Sequence, residues 1–397
     1  MGLAFPALAQ SLSTGDEGIP AGHLLLYPSL SIDYRQDSNI FYLNSSTANG
    51  AILSSGVVLI KPRILVDLPL GESRIRWSYS PAFRDYTNAS VTQSNRVSHF
   101  FDFEAALKPT SSLSIVVKDH LVRGTSELRE VDPGGETTFG LVPFLLQEPE
   151  VDFTMDLGGR QGVSLIPRYT SVRFSDAGTA SFFDYRRRGL ETRYNYKTSP
   201  ASVLYGFVNF EATDEQREQG SLQNVTSSTR AIGVGLRRTV NQILVTSLSG
   251  GYLTLNFKGA GINDYSGPVL EGNTAWRLTD TSRLEVRLGR QVYPSFFGDN
   301  NFYLDNYGGL QFTQQVGRNA YWTFSGAYQA NLYPLHDAAL NLRRRDSGEV
   351  LEVGAGYRLL QSTRLFVGYN HERRRSNYDP AEYEVDRVSF RINMGWM

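Results

Sequence analysis

Ionisable side chains in this chain recur at every second position of short segments. Arg74, Arg76 and Arg84 share one parity in one segment, Arg283, Glu285 and Arg287 in another, and Arg387 and Arg391 in the last. Residues two apart on an extended chain point the same way, so each set makes a charged stripe on one face of a strand. The same placement holds for Arg168, Arg193, Arg237, Arg364, Asp33, Asp102, Glu104, Glu271 and Glu352. Charges of both signs around a water-filled wall select ions and solutes by their field and make or break no bonds. Arginine dominates, lysine being confined to Lys61, Lys108, Lys118, Lys197 and Lys258. Its planar fork suits fixed pairing with carboxylates, so many of these charges are expected to pair across strands and simply tile the wall.

Bond-making chemistry finds little support. His23, His99, His120, His336 and His371 lack metal-type spacing such as H-x-x-x-H. Asp119-His120 and His336-Asp337 are adjacent, and neighbours on a strand face opposite ways. No Gly-x-Ser-x-Gly nucleophile motif accompanies them. The chain has no cysteine, which excludes disulfides, thiolate-held zinc, iron–sulfur clusters and c-type haem. A net charge of −1 gives no reason to expect nucleic acid. Neither a catalytic residue, nor a metal, nor a cofactor is expected.

What must position the charged stripes is a set of long β-strands. Residues 385–397 put Val388, Phe390, Ile392, Met394 and Trp396 on one face and Arg387, Ser389, Arg391, Asn393 and Gly395 on the other. The same alternation recurs in segments of about 10–16 residues, the length of a tilted membrane-crossing strand. No run of about 18 apolar residues marks a transmembrane helix. Eighteen segments can be counted from residue 23 onward. Tight turns follow the even-numbered ones, at Gly71, Pro109, Gly158, Ser199, Asn241, Asp280, Gly317 and Ser362, and longer polar connections follow the odd-numbered ones. Short turns at one end, long loops at the other and an even strand number characterise outer-membrane barrels. The expected fold is therefore all-β: one antiparallel up-and-down transmembrane barrel of about 18 strands over residues 22–397, in the outer membrane of a Gram-negative bacterium, with outer-membrane lipid and lipopolysaccharide around it. Trp77, Trp276, Trp322 and Trp396 all fall near short-turn ends on the apolar face, as one girdle at the membrane–water interface.

Residues 1–9 read as the tail of a signal peptide, with Ala7-Leu8-Ala9 before the cut, and residues 10–21 as a polar lead-in. The longest connection, residues 123–146, carries Asp132 and Glu136 and then an apolar run from Phe139 to Leu146. Two readings of it stand side by side: a loop folded into the mouth or lumen as a constriction, with Asp132, Glu136, Phe139 and Phe144 at its core, or a segment that packs on neighbouring loops or simply extends the sixth strand. Three arginine triplets, at 186–188, 343–345 and 373–375, lie at long-loop ends, where they would meet phosphates of lipopolysaccharide or remain solvated charge.

With the strands placed, the chain resembles the Putative beta-barrel porin 2 family of bacterial outer-membrane proteins. The resemblance rests on Asp33-Tyr34-Arg35-Gln36-Asp37-Ser38-Asn39-Ile40-Phe41 at the end of the first strand. It rests also on Lys61-Pro62-Arg63 in the second and on the tyrosine-ended third. Members often accompany exopolysaccharide or capsule export, so the resemblance implies a conduit for an exported polysaccharide, with a periplasmic polysaccharide-export protein as a partner. A general or solute-selective diffusion porin is the alternative, and an outer-membrane hydrolase the third reading.

Overall fold

The computed structural model describes residues 18–44, 52–88, 90, 96–125, 136, 143–175, 184–216, 225–241, 243–258, 264–295, 300–335 and 342–395. The strands are β1 (Leu24–Asp37), β2 (Ser55–Leu70), β3 (Ser73–Tyr86), β4 (Arg96–Leu107), β5 (Leu113–Gly124), β6 (Phe144–Gln147 continuing as Glu150–Gly158), β7 (Gln161–Phe174), β8 (Asp184–Ser199) and β9 (Ser202–Gln216). They continue as β10 (Val225–Val240), β11 (Leu244–Lys258), β12 (Tyr265–Arg277), β13 (Ser282–Pro294), β14 (Phe302–Val316), β15 (Ala320–Leu332), β16 (Arg345–Leu360), β17 (Thr363–Ser376) and β18 (Tyr383–Gly395). Each pairs antiparallel with the next, and β18 pairs with β1 from Ser29↔Gly395 to Asp37↔Arg387, so the ring of eighteen closes.

Closure removes the two open edges of a flat sheet, so the strands satisfy most of their backbone within the wall, as lipid requires. The last strand fits the seam tightly. A Cβ on Gly395 would lie 2.3 Å from the Pro28 carbonyl oxygen, and the φ of +99° there favours glycine. Below this point β1 loses its β18 partner, and the short strand Ile19–Ala21 folds back to pair with Leu24–Leu26. Among the tight turns, Gly71 and Gly317 both sit at φ +64°, a conformation that would strain any residue with a side chain.

The two faces of the wall differ as the period-2 pattern demands. On one, large apolar side chains stand exposed, among them Phe83, Leu165, Phe210, Ile232, Val353 and Phe390. A contiguous apolar surface of this kind belongs in lipid. Trp276 and Trp322 are on this face, within three residues of the short-turn end of β12 and β15. Trp77 stands five residues into β3, level with Val66 and Phe103. Trp396 lies outside the described residues. The other face, the lumen, carries the charges.

Candidate functional site

The charged strand residues assigned to the wall by parity fall on the inner face, because each shares parity with the others on its strand and pairs laterally with inner-face neighbours. Arg76 faces Asp67 and Glu104, Ser78 faces Asp102, Arg287 faces Asn273, and Asp33 faces Arg391. Most are held in ion pairs. Arg74 and Arg76 both reach Asp67. Arg168 spans Glu150 at 2.6 Å and Glu191 at 3.0 Å, and Arg193 also binds Glu191. Arg283 pairs with Glu285 at 3.1 Å. Arg84 and Arg287 lie on the same wall. Among the described residues, Arg364, Glu104 and Glu352 have no ion-pair partner.

The seam between β18 and β1 is ionic on its inner side. Arg391 binds Asp33 at 3.1 Å, and Arg387 binds Asp37 at 3.1 Å and Glu372 at 2.7 Å. Arg387 also donates to Asn370 and to the Tyr42 hydroxyl, so residues beyond β1 fold back over it. Asp37, Glu372 and Tyr42 are all buried. Beside this group Arg344 and Arg374 both bind Asp346, again fully buried.

The arginine triplets resolve by strand parity. The middle member of each, Arg187, Arg344 or Arg374, engages an acid: Arg187 binds Glu211 at 3.2 Å, and the other two bind Asp346. Only the flanking members remain for lipopolysaccharide, and Arg375 already contacts Glu349 at 3.4 Å. The adjacent His120 and Asp119 form no dyad. His120 bonds Asp102 at 2.7 Å, while Asp119 accepts from Gln147 on its other side.

The long connection between β5 and β6 divides. Phe144 does not belong to a constriction loop: it opens β6, opposite Gly124 and Phe174. It is buried with Val122, Leu146, Val172 and Tyr185. The apolar run continues the strand because its alternate residues extend the same ladder on the wall. Asp132 and Phe139 lie outside the described residues.

Glu136 does leave the wall. It is buried, accepts a 2.5 Å hydrogen bond from the Ser295 hydroxyl, and accepts from the Arg344 guanidinium through its backbone carbonyl at 3.2 Å. Ser295 follows β13 and Arg344 precedes β16, half-way round an eighteen-strand ring from the gap between β5 and β6. Glu136 is therefore held on the far side of the barrel from the two strands that flank it in sequence. Arg344 stacks over the Tyr333 ring at 4.8 Å, and Tyr333 lies against Tyr303 with centroids 5.5 Å apart. Burial pushes the Tyr333 phenol well above its usual range, so it stays a neutral donor to Asp346 at 3.3 Å. Sequence reading picked out Glu136, and Arg344 as part of a triplet, but not their contact or the part of Ser295 in it, because a contact across a ring leaves no trace in local spacing.

Comparison with known proteins agrees with this architecture. The family model described as "Putative beta-barrel porin 2" matches residues 160–394, more than half of the chain. No curated protein matches. Among solved structures, the chain is similar to OccAB3 of Acinetobacter baumannii (TM-score 0.50, 8% identity, 94% of this chain and 99% of that one covered). It is similar also to a BenF-like porin of Pseudomonas fluorescens Pf-5 (0.50, 12%, 93% and 98%). The FrpB iron transporter of Neisseria meningitidis is matched at TM-score 0.49 and 11% identity over 90% of this chain, which spans 64% of the transporter's length.

Proposed function

The chain belongs to the Putative beta-barrel porin 2 family and is a porin of the Gram-negative outer membrane, and from that premise we propose that it is a solute-selective diffusion channel narrowed at its external mouth. The observation that carries this reading is the clasp of Glu136 on Ser295 and Arg344. Glu136, buried against Ser295 at the opposite rim, occupies part of the mouth that a wide-open pore would leave clear. The wall supports the same reading: a paired, solvated tiling of Arg and Asp/Glu sets a field for passing ions and supplies no fixed chemistry.

The test is permeation. Protein reconstituted into liposomes should admit monosaccharides and exclude long oligosaccharides in swelling assays. A Glu136→Ala, Ser295→Ala variant should admit larger sugars. Equal size limits for both proteins would remove the clasp from the account.

Polysaccharide export, with a periplasmic export partner, is the second reading, favoured by the family resemblance. A polymer needs an open lumen, so the clasp of Glu136 weighs against it. Weighing the polysaccharide secreted by a strain lacking the gene separates the two, since normal secretion excludes export.

A further inference from the structure

The lumen wall from β7 to β13 holds a recess of about 530 Å³ that the clasp does not use. We infer that this recess is a binding site for a hydroxylated carboxylate of monosaccharide size, that is, a sugar acid such as a hexuronate. The inference rests on the channel reading and names the class of solute that the channel would favour. The volume lies within the range of small-molecule sites.

The recess is built on bare backbone. A Cβ on Gly235 would lie 2.2 Å from the Tyr205 ring, and one on Gly233 would lie 2.6 Å from the Phe207 ring. Both rings of β9 therefore lie down on β10, which keeps them from filling the lumen. The guanidinium carbons of Arg193 and Arg237 stand 5.2 and 5.3 Å from the Tyr205 ring centre. The two arginines differ in what else they hold. Arg193 is committed to Glu191. Arg237 is exposed, its one side-chain hydrogen bond runs to Asn195 at 3.3 Å, and no described carboxylate reaches it. A guanidinium fixed on an aromatic ring, with donors to spare, is suited to take a carboxylate through two parallel bonds.

The rest of the lining supplies what hydroxyl groups need. Asn209, Ser247, Asn273 and Gln291 line the same recess, and none of them hydrogen-bonds through its side chain to any described residue. Four uncommitted amide and hydroxyl groups around one cavity can each donate to and accept from a polyol. Glu271, which has no ion pair or side-chain hydrogen bond among the described residues, sets the orientation. It is level with Ser249 and Gly235, whereas Arg237 is level with Ser247 and Asn273, so the two charges are offset along the wall. The carboxylate of a sugar acid would lie at Arg237 and its hydroxyls would donate to Glu271.

The experiment is a ligand titration by saturation-transfer NMR on the purified full-length protein in detergent micelles, with glucuronate, glucose and acetate as probes. Retained heat-modifiable gel mobility shows that each variant is folded. Glucuronate should bind more tightly than either glucose or acetate. Arg237→Gln should weaken glucuronate at least tenfold, and Asn273→Ala should weaken glucuronate while leaving acetate unmoved. Glucose binding as tightly as glucuronate would overturn the role of the carboxylate. Acetate binding as tightly would overturn the role of the hydroxyls. Absence of glucuronate binding, or an Arg237→Gln variant that binds as well as wild type, would overturn the site. Bilayer conductance of the same preparation reports separately on the channel reading, so the two can fail independently.

Discussion

Arg387 is the residue whose removal should cost this barrel most. It sits where the last strand meets the first, bonded to Asp37 at 3.1 Å, Glu372 at 2.7 Å and Asn370 at 3.1 Å, with Tyr42 over it. Its side chain is 12% exposed, that of Asp37 5% and that of Glu372 1%. Arg387→Met keeps most of the apolar stem but strips two buried carboxylates of their cation. Breaking a buried pair by removing one partner costs about 3–5 kcal/mol. That corresponds to roughly a hundred- to several-thousand-fold in the folding equilibrium. Urea unfolding of protein refolded into lipid vesicles, followed by the fluorescence of the four tryptophans, measures the loss. A triple variant adding Asp37→Asn and Glu372→Gln should recover most of it, because the cost arises from orphaned charge and not from lost volume. Arg391→Met is the comparison. Its side chain is 43% exposed, so its pair with Asp33 should contribute no more than about 1 kcal/mol. If Arg387→Met and Arg391→Met unfold at the same urea concentration as wild type, the ionic seam does not hold the ring closed.

Three further outcomes are expected. Phe390 lies mid-strand on the lipid face of β18, 45% exposed, and Phe390→Arg should lose about 2–4 kcal/mol of stability in vesicles; unchanged stability would contradict its lipid-facing placement. Gly235→Ala drives a methyl into the Tyr205 ring and should cost about 1–3 kcal/mol; an unchanged urea midpoint would mean that the ring does not lie on that glycine. At the short-turn end, the Lys108 ammonium 2.6 Å from Glu72 holds that carboxyl below its usual value. The pair therefore contributes above the unfolded carboxylate pKa and loses its contribution as pH falls through the lower folded value; a carboxyl titration that does not rise on Lys108→Ala would refute the pairing.

Much of this molecule was legible because a barrel wall is a local structure. Period-2 alternation in residues 385–395 specified which side chains share the apolar face, and the alternation of Gly71-type turns with long connections specified the count. The same rule settles the arginine triplets, since parity alone sends Arg187 and Arg374 inward. What stayed hidden was contact across the ring. Glu136 meets Ser295 and Arg344 across a ring, over separations of 159 and 208 residues, and no local pattern encodes that. The glycines of β10 did leave a signal, since Gly233 and Gly235 stand under the Phe207 and Tyr205 rings of β9. Reading it requires knowing which strands are neighbours. Phe144 was ambiguous for a simpler reason: an apolar run next to a loop looks alike whether it extends a strand or folds into a mouth.

The clasp can be tested where it is made. The chain has no cysteine of its own, so Glu136→Cys with Ser295→Cys gives a unique thiol pair at the contact. Single-channel conductance in planar bilayers should be higher with both thiols free, because the clasp is gone. It should fall when a short bifunctional thiosulfonate bridges them and restores the contact. Failure of the two thiols to bridge, or equal conductance before and after bridging, would contradict the Glu136–Ser295 contact as a constriction of the pore.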